Sequence, residues 1–221
     1  MKANQLCLVL DLDDTLYQEY DYQTSGLKYV EQMIEHLYQV SFAGKLIQWR
    51  EQGIGDVFAQ ACRELQQPAS FKEHLLNFYR YHLPDISLSQ TTQSFLNHAR
   101  RHCAAVAILT DGRSATQRLK LKALGLSEYP VYISEEWHST KPCPERFLQI
   151  QYDFAQCEQF CYLGDNPKKD FLAPNELGWF SVGLRGNERN IHSQDTSLYT
   201  PSSRPAVWIE QLTEFFDHVE H

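Results

Sequence analysis

The chain has 221 residues, of which 43% are hydrophobic, and its formal net charge at pH 7 is −8. This length suits one domain with a sizeable insert or two small domains, and the apolar content is sufficient for a packed core. The acidic balance argues against binding to a nucleic acid polymer, which requires a basic face. Because the sequence shows neither a secretory leader nor an apolar run long enough to span a bilayer, we expect a soluble cytoplasmic protein without a membrane partner.

The first predicted strand ends on three carboxylates. Apolar residues 6–10 indicate a short buried strand, and Asp11, Asp13 and Asp14 follow it. Carboxylates packed this closely repel one another and lose hydration, so they stay ionised only if hydrogen bonds or a cation offset the cost. Alternate side chains of an extended segment point the same way, so Asp11 and Asp13 can address one pocket. Mg²⁺ is the cation that this pattern favours, and the alternative is a polar turn in which Asp14 and Thr15 cap the next element.

An all-helical segment is expected from about residue 17 to residue 87. Its apolar residues recur at helical spacing and include Leu27, Val30, Ile34, Leu37, Val57, Phe58, Ala61, Cys62 and Leu65. Ser70 and Glu73 have the spacing of a capping box, which predicts that a further helix begins there. Residues 53–56 form a glycine-containing connection that either reaches the site or is an ordinary turn between helices.

The remaining chain alternates predicted strands with predicted helices. Strands are expected at 104–109, 131–133, 160–163 and 179–182, with helices at 90–102, 114–125, from 144 onward and before 178. The polar segment 185–205 indicates a loop, and a last amphipathic helix is expected to carry Val207, Ile209, Leu212, Phe215 and Phe216. Buried strands alternating with helices predict an α/β fold whose parallel sheet is covered by helices on both faces.

Polar residues of reactive types follow three of the predicted strands. They are Asp11 with Asp13, Thr110 with Asp111, and Asp165. In an open parallel sheet, ligands bind outside the carboxyl ends of the strands. A single shared site therefore explains these residues better than three unrelated turns.

Four segments, taken in order, resemble the motifs of the haloacid dehalogenase superfamily of hydrolases. They are Asp11-Leu12-Asp13-Asp14-Thr15, Ile108-Leu109-Thr110-Asp111-Gly112, Lys141-Pro142, and Gly164-Asp165 with Asp170. The sequence looks most like the phosphatases of that superfamily with a helical cap after the first strand. The resemblance implies a Rossmann-like, doubly wound α/β core formed by residues 1–16 and 88–221, and an all-helical cap domain formed by residues 17–87.

The resemblance also implies the roles of the first motif. Asp11 is expected to be the nucleophile, forming an aspartyl-phosphate, and also to be a metal ligand. Asp13 is expected to protonate the leaving alcohol, to deprotonate the attacking water, and to offer its backbone carbonyl to the metal. Because dehalogenases of the superfamily lack a carboxylate at this position, Asp13 favours phosphate esters over carbon–halogen bonds as the substrate.

The other motifs supply the remaining expected site residues. The Thr110 hydroxyl and the backbone N–H groups of Asp111 and Gly112 would bind phosphoryl oxygens, and Lys141 would balance the charge of Asp11 and the phosphoryl group. Asp165 is expected to be a further Mg²⁺ ligand. Asp170, placed on the first turn of the next helix, would act on the metal through water or hold Lys141.

These residues together predict a Mg²⁺-dependent phosphatase of small phosphorylated metabolites, such as a sugar phosphate, a nonulosonic-acid phosphate or a nucleotide. The candidate substrate contacts are Tyr17, Tyr20, Lys45, Arg50 and Arg113, whereas Lys168 and Lys169 are expected to face solvent. A sugar phosphomutase of the same superfamily and a non-catalytic binding module are the alternatives. The sequence leaves open whether the chain is a monomer or a homodimer.

Overall fold

The sheet at the centre of the protein has six parallel strands. A computed structural model describes residues 1–219, so the last two residues of the predicted core, 220 and 221, lie outside the described residues. The strands are β1 (Leu6–Leu10), β2 (Ala105–Thr110), β3 (Val131–Ile133), β4 (Gln159–Gly164), β5 (Phe180–Leu184) and β6 (Val207–Ile209). Their order across the sheet is β3-β2-β1-β4-β5-β6, and each neighbouring pair is parallel. The chain is therefore doubly wound, and the order reverses at β1, where such sheets bind ligands.

Helices connect the strands, and some of them cover the sheet. They are α1 (Glu19–Tyr38), α2 (Lys45–Glu51), α3 (Val57–Glu64), α4 (Phe71–Tyr81), α5 (Gln90–His102), α6 (Ser114–Ala123), α7 (Ser134–Trp137), α8 (Glu145–Asp153) and α9 (Leu172–Glu176). Every residue of β1 is buried. Leu8 packs in one apolar cluster with Phe95 of α5, and Val9 packs in a second cluster with Phe147 of α8. Burial on both faces explains why β1 is a continuous apolar run, and it confirms the predicted α/β fold.

Helices α1 to α4 lie between β1 and α5 in the chain. They share an apolar cluster of their own, which includes Leu27, Val30, Ile34, Phe42, Leu46, Phe58, Ala61, Cys62 and Leu75. At the start of α1, the carboxylate of Asp14 accepts the Glu19 N–H at 2.9 Å, so Asp14 caps the helix. Tyr17, Tyr22 and Ile86 pack in the cluster of the sheet instead. The division at residues 17 and 87 stays a prediction.

Three local expectations were wrong. Residues 207–209 form strand β6, paired with β5, and a 3₁₀ helix over Leu212–His218 replaces the expected amphipathic helix. A helix does begin after Ser70, as predicted, but within the described chain the Ser70 side chain makes no capping hydrogen bond, because Ser70 itself has helical dihedral angles. Asp170 lies in the turn before α9, where its N–H donates to the Asn166 carbonyl at 2.9 Å. Across residues 1–219, the helices include none that is both long enough and apolar enough to cross a bilayer.

Candidate active site

A cleft of about 200 Å³ opens at the carboxyl ends of β1, β2 and β4. Its lining is predominantly charged and polar, and consists of Asp11, Asp13, Asp14, Glu19, Thr110, Asp111, Lys141, Asp165, Asn166, Lys169 and His192. Because β1 lies between β2 and β4, the polar residues at the carboxyl ends of these three strands lie next to one another. The expected convergence of Asp11, Thr110 and Asp165 is therefore present.

A buried lysine lies among carboxylates at the floor of the cleft. The Nζ atom of Lys141 is 2.8 Å from Asp11 Oδ2 and 2.7 Å from Asp170 Oδ1, and it donates to the Tyr162 hydroxyl at 2.9 Å. Asp170 also accepts the Asn166 N–H at 2.8 Å. Gly164 makes this approach possible, since a Cβ at that position would lie 2.5 Å from Asp170 Oδ2. Asp170 thus holds Lys141, as one of the two expected roles requires.

Burial and mutual repulsion raise the pKa values of two carboxylates in the cleft. Burial, together with Asp170 and Asp13, raises the pKa of Asp11 to about 7, although Lys141 acts in the opposite direction. Burial and the neighbouring charges of Asp170, Asp11 and Asp14 raise the pKa of Asp165 to about 9. Burial by itself would lower the pKa of Lys141, but Asp11 and Asp170 hold it well above its ordinary value. The cluster therefore has more negative charge than one ammonium group neutralises.

The residues present fit a divalent cation. Carboxylate oxygens of Asp11, Asp165 and Asp170 lie within 4.8 Å of one another, and all three residues are buried. Hard oxygen donors are the ligands that Mg²⁺ takes in proteins, and a cation here would relieve the repulsion that raises the pKa of Asp11 and Asp165. The Asp13 side chain lines the same cleft but is not part of this group of three carboxylates.

Asp13 is held by three side chains. Its Oδ1 atom accepts the Tyr17 hydroxyl at 2.5 Å and is 2.7 Å from Lys120 Nζ, and its Oδ2 atom accepts from Gln117 Nε2 at 2.9 Å. Burial would raise the pKa of Asp13, but the charge of Lys120 and the hydrogen bonds from Lys120, Tyr17 and Gln117 lower it below its ordinary value. The nearby Glu19 has a pKa raised to about 7 by burial and by Asp13.

A buried arginine holds the end of β2 in place through hydrogen bonds and an ion pair. Arg146, fully buried, donates to the Thr110 and Tyr132 carbonyls at 2.9 and 3.1 Å and forms an ion pair with Asp111. The Lys141 N–H also donates to Asp111. The Gly112 N–H donates to Ser134 Oγ at 2.9 Å, so in this structure it is not directed at the cleft as expected.

The segment after β5 closes another side of the site. Asn190 Nδ2 lies 3.3 Å from Asp165 Oδ2, Gln194 donates to the Asp165 carbonyl at 2.8 Å, and the Ile191 N–H donates to Asp14 Oδ2 at 2.9 Å. Part of the segment 185–205, expected only as a loop of unspecified role, therefore contacts residues of the cleft.

Other candidate contacts lie apart from the cleft. Arg113 is exposed and, among the described residues, is not one that lines it. Lys45 pairs with Glu64 at 2.8 Å. Arg50 stacks on Tyr20, with the guanidinium carbon 4.1 Å from the ring centroid, beside a separate cavity of about 570 Å³.

Lys169, expected to face solvent, lines the cleft with a side chain 39% exposed and its Nζ 3.8 Å from Asp111 Oδ2, whereas Lys168 is exposed.

Several residues of the site were missed by the sequence analysis. They are Glu19, Gln117, Lys120, Arg146, Tyr162, Asn166, Asn190, His192 and Gln194. Gln117 and Lys120 had a detectable signal, because two polar residues three apart lie on one helix face and follow Thr110 closely. The others become apparent only when distant segments are brought together.

A comparison with protein families identifies the family of this chain. The model described as "Hydrolase: haloacid dehalogenase-like hydrolase" matches residues 6–178. The chain belongs to the haloacid dehalogenase-like hydrolase family. Residues 6–178 include all four motifs named above, and the resemblance expected from them is confirmed.

A curated relative of this hydrolase agrees with that assignment. It is 32% identical over 127 residues to a phosphoserine phosphatase of Thermus thermophilus, an alignment that spans 56% of this chain and 48% of that protein. The chain thus matches about half the length of this curated relative.

Solved structures share the fold over almost the whole chain. The HAD hydrolase YfnB of Bacillus subtilis, whose crystal structure contains magnesium, has a TM-score of 0.65 at 17% identity and covers 96% of this chain and 97% of its own. A predicted phosphoglycolate phosphatase of Haemophilus somnus has a TM-score of 0.63 at 19% identity, with 99% of both chains covered. A 2-haloacid dehalogenase of Pseudomonas syringae has a TM-score of 0.62 at 15% identity, with 96% of both covered. At these identities the similarity shows the fold alone.

Proposed function

We propose that this hydrolase is a Mg²⁺-dependent phosphomonoesterase of a small phosphorylated metabolite. The observation that carries the proposal is the pairing of Asp11 with Lys141 at 2.8 Å in a cleft that Asp13 also lines. This arrangement supports the proposal, because phosphoryl transfer through an aspartyl-phosphate uses a carboxylate nucleophile, a compensating cation and a second carboxylate for proton transfer.

Asp13 favours an ester substrate over a halide. An alkoxide leaving group needs a proton, whereas a halide leaves without one, so a group that can donate a proton in the cleft favours the ester. The similarity to a phosphoserine phosphatase supports the same choice. The similarity to a 2-haloacid dehalogenase is limited to the fold and does not oppose it.

The proposed reaction has two steps at phosphorus. An Asp11 carboxylate oxygen attacks the phosphoryl group and the bond to the leaving oxygen breaks. Asp13 gives that oxygen a proton, which it must take up before the reaction, because its contacts with Lys120, Tyr17 and Gln117 lower its pKa and favour the ionised form. Asp13 then takes a proton from the water that attacks the aspartyl-phosphate, which releases inorganic phosphate and restores Asp11. Lys141 and the Thr110 hydroxyl offset charge on the phosphoryl oxygens throughout.

Asp11, Asp165 and Asp170, with the Asp13 backbone carbonyl, would hold the Mg²⁺ ion. The ion would act as a Lewis acid on the phosphoryl group when bound. The helical segment 17–87 would serve as a cap domain over the core formed by 1–16 and 88–221, excluding water and selecting small substrates.

The test is phosphate release from p-nitrophenyl phosphate and from a panel of metabolites, with Mg²⁺ or with EDTA. The panel contains phosphoserine, phosphoglycolate, sugar phosphates, nonulosonic-acid phosphates and nucleotides. We expect Mg²⁺-dependent release by the wild type and none by Asp11→Asn, while Asp85→Asn, which alters an exposed aspartate, retains activity. Isomerisation of sugar phosphates without release would identify a mutase. Stabilisation by Mg²⁺ without turnover of any ester would indicate a binding module.

A further inference from the structure

We infer that Gln117, Lys120 and Tyr17 are positioning residues that orient the Asp13 carboxylate for proton exchange with the leaving oxygen. This inference rests on the proposed phosphomonoesterase function and assigns a role to three side chains outside the sequence motifs. None of them needs to touch the substrate. Their effect would be on the step in which the ester bond breaks.

Gln117 connects the acid–base group to the end of β2. Its Nε2 atom is 2.9 Å from Asp13 Oδ2, 2.6 Å from Thr110 Oγ1 and 3.3 Å from the Asp111 carbonyl. An amide nitrogen carries two hydrogens, so it can bond Asp13 and Thr110 at the same time. The side chain is 1% exposed, and the space it occupies exists because residue 112 is glycine, where a Cβ would lie 2.9 Å from Gln117 Cδ.

Lys120 engages the other oxygen of the same carboxylate. It lies one turn beyond Gln117 on α6, with its Nζ 2.7 Å from Asp13 Oδ1 and 3.9 Å from Glu19 Oε1. Lys120 is only 3% exposed, and its ammonium group also lies 4.2 Å from the centroid of the Tyr22 ring. Burying a lysine is costly unless it is paired, and here the short contact is with Asp13.

Tyr17 completes the set from a different part of the chain. Its hydroxyl donates to Asp13 Oδ1 at 2.5 Å, four residues after Asp13 itself. Oδ1 accepts from two donors and Oδ2 from one, which restrains the rotation of the carboxylate and leaves an acceptor position on Oδ2 for the exchanged proton. The same donors lower the pKa of Asp13, so their role is to orient the carboxylate and not to supply its proton. A carboxylate that must first give and then take a proton benefits from such orientation, because proton transfer requires hydrogen-bond geometry.

A purely structural role makes a different prediction. If the three residues only tied α6 to the end of β1, their removal would lower activity by the same factor for every ester. If they orient the acid, the loss will depend on the leaving group. An aryl oxide such as p-nitrophenolate is a stable anion and leaves with little help, whereas an alkoxide requires the proton.

The experiment compares kcat/KM for p-nitrophenyl phosphate and for a simple alkyl phosphate, with Mg²⁺ present. The parameter kcat/KM reports on the steps through the first bond cleavage, so hydrolysis of the phosphoenzyme does not mask the effect. The variants are Gln117→Leu, Lys120→Met and Tyr17→Phe. Lys122→Met is the matched control, because Lys122 is an exposed lysine on the same helix. Asp13→Asn gives the full effect of losing the acid.

We expect each of the three variants to lose at least about 10-fold more kcat/KM with the alkyl ester than with the aryl ester, a part of the roughly 10²–10⁴-fold effect of general acid catalysis. Lys122→Met should leave both values unchanged. Thermal melting monitors folding, and Tyr17→Phe, which removes a single hydroxyl, decides the matter if Lys120→Met does not fold.

Equal losses for the two esters, or no loss, in the folded variants would overturn the inference while leaving the phosphatase intact. A different outcome separates the two proposals. If the wild type hydrolyses neither ester, or if Asp13→Asn affects both equally, the proposed function of Asp13 fails and the positioning role fails with it.

Discussion

Replacing Lys141 with methionine tests the electrostatic balance of the site most directly. Lys141→Met keeps an unbranched apolar side chain of similar length but removes the ammonium group that lies 2.8 Å from Asp11 and 2.7 Å from Asp170. Both carboxylates are buried and would lose their shared cation. Breaking a buried pair by removing one partner costs about 3–5 kcal/mol, so we expect a loss of that size in the free energy of unfolding without Mg²⁺.

The loss should depend on pH in a definite direction. With Lys141 present the pKa of Asp11 is already about 7, and removal of the positive charge raises it further. At pH 6 the variant can therefore protonate Asp11 and escape part of the penalty, whereas at pH 8.5 it must bury the charge or bind a cation. We expect a larger destabilisation at pH 8.5 than at pH 6.

The assay is urea denaturation in EDTA at both pH values, repeated with saturating Mg²⁺. The ion should restore part of the lost stability, because it binds the folded state and supplies positive charge to the same cluster. Phosphate release by the folded variant should fall roughly 10²–10³-fold, the usual effect of removing a group that stabilises developing charge. Lys168→Met is the control, since Lys168 is exposed in the same segment as Asp165 and Asp170.

A destabilisation below about 1 kcal/mol at pH 8.5 would refute this reasoning, because it would be within the range of a surface ion pair. An equal loss at the two pH values would also contradict it. In that case the charge of Asp11 would not be coupled to Lys141 as the distances indicate.

Three further outcomes follow from the same structure. In EDTA the wild type should become less stable as pH rises from about 5 to 9. The pKa values of Asp11 and Asp165 are about 7 and about 9 in the folded protein, against about 3.9 for an aspartate in the unfolded chain, so the folded state binds more protons and loses this advantage as pH rises. A melting temperature that does not change with pH would contradict this, and Mg²⁺ should abolish the pH dependence. Gly164→Ala should cost about 1–3 kcal/mol and weaken Mg²⁺ binding by calorimetry, since its Cβ would lie 2.5 Å from Asp170, and unchanged binding would argue against this packing. Ile209→Ala should cost about 2–5 kcal/mol in urea denaturation because β6 buries this residue, whereas a cost below about 1 kcal/mol would count against that burial.

The segment after β5 joins the site to the helices α1 to α4. Asn190 approaches Asp165, while Arg189 forms an ion pair with Asp21 and stacks on Tyr20, with the guanidinium carbon 4.5 Å from the ring centroid. Neighbouring residues of one segment thus contact the carboxylate cluster and helix α1. A movement of the helical segment relative to the sheet would be expected to change both sets of contacts.

Local sequence patterns were sufficient to predict the site residues that lie at the end of a strand. Asp11, Thr110 and Asp165 follow apolar runs, and the geometry of a parallel sheet brings strand ends together without further information. The order of the motifs was sufficient for the family, and burial on both faces made β1 easy to recognise. These inferences need only neighbours in the chain and one general rule of sheet architecture.

Other features were decided by contacts between distant residues. The strand at 207–209 has too few residues for its period to separate strand from helix, and pairing with β5 settles it. Lys120 reads as a surface lysine on an amphipathic helix until the fold places it 2.7 Å from Asp13, a residue 107 positions away.

The amino-acid sequence by itself therefore determined the α/β architecture, the family and the residues at the three strand ends, because hydrophobic period and motif order are local properties of the chain. Only the tertiary structure decided the pKa values of those residues, their orientation and the side chains that they contact. Desolvation and the distance between charges set the pKa of Asp11 and Asp165 and the partners of Asp13, and both quantities exist only after residues remote in the chain have been packed together.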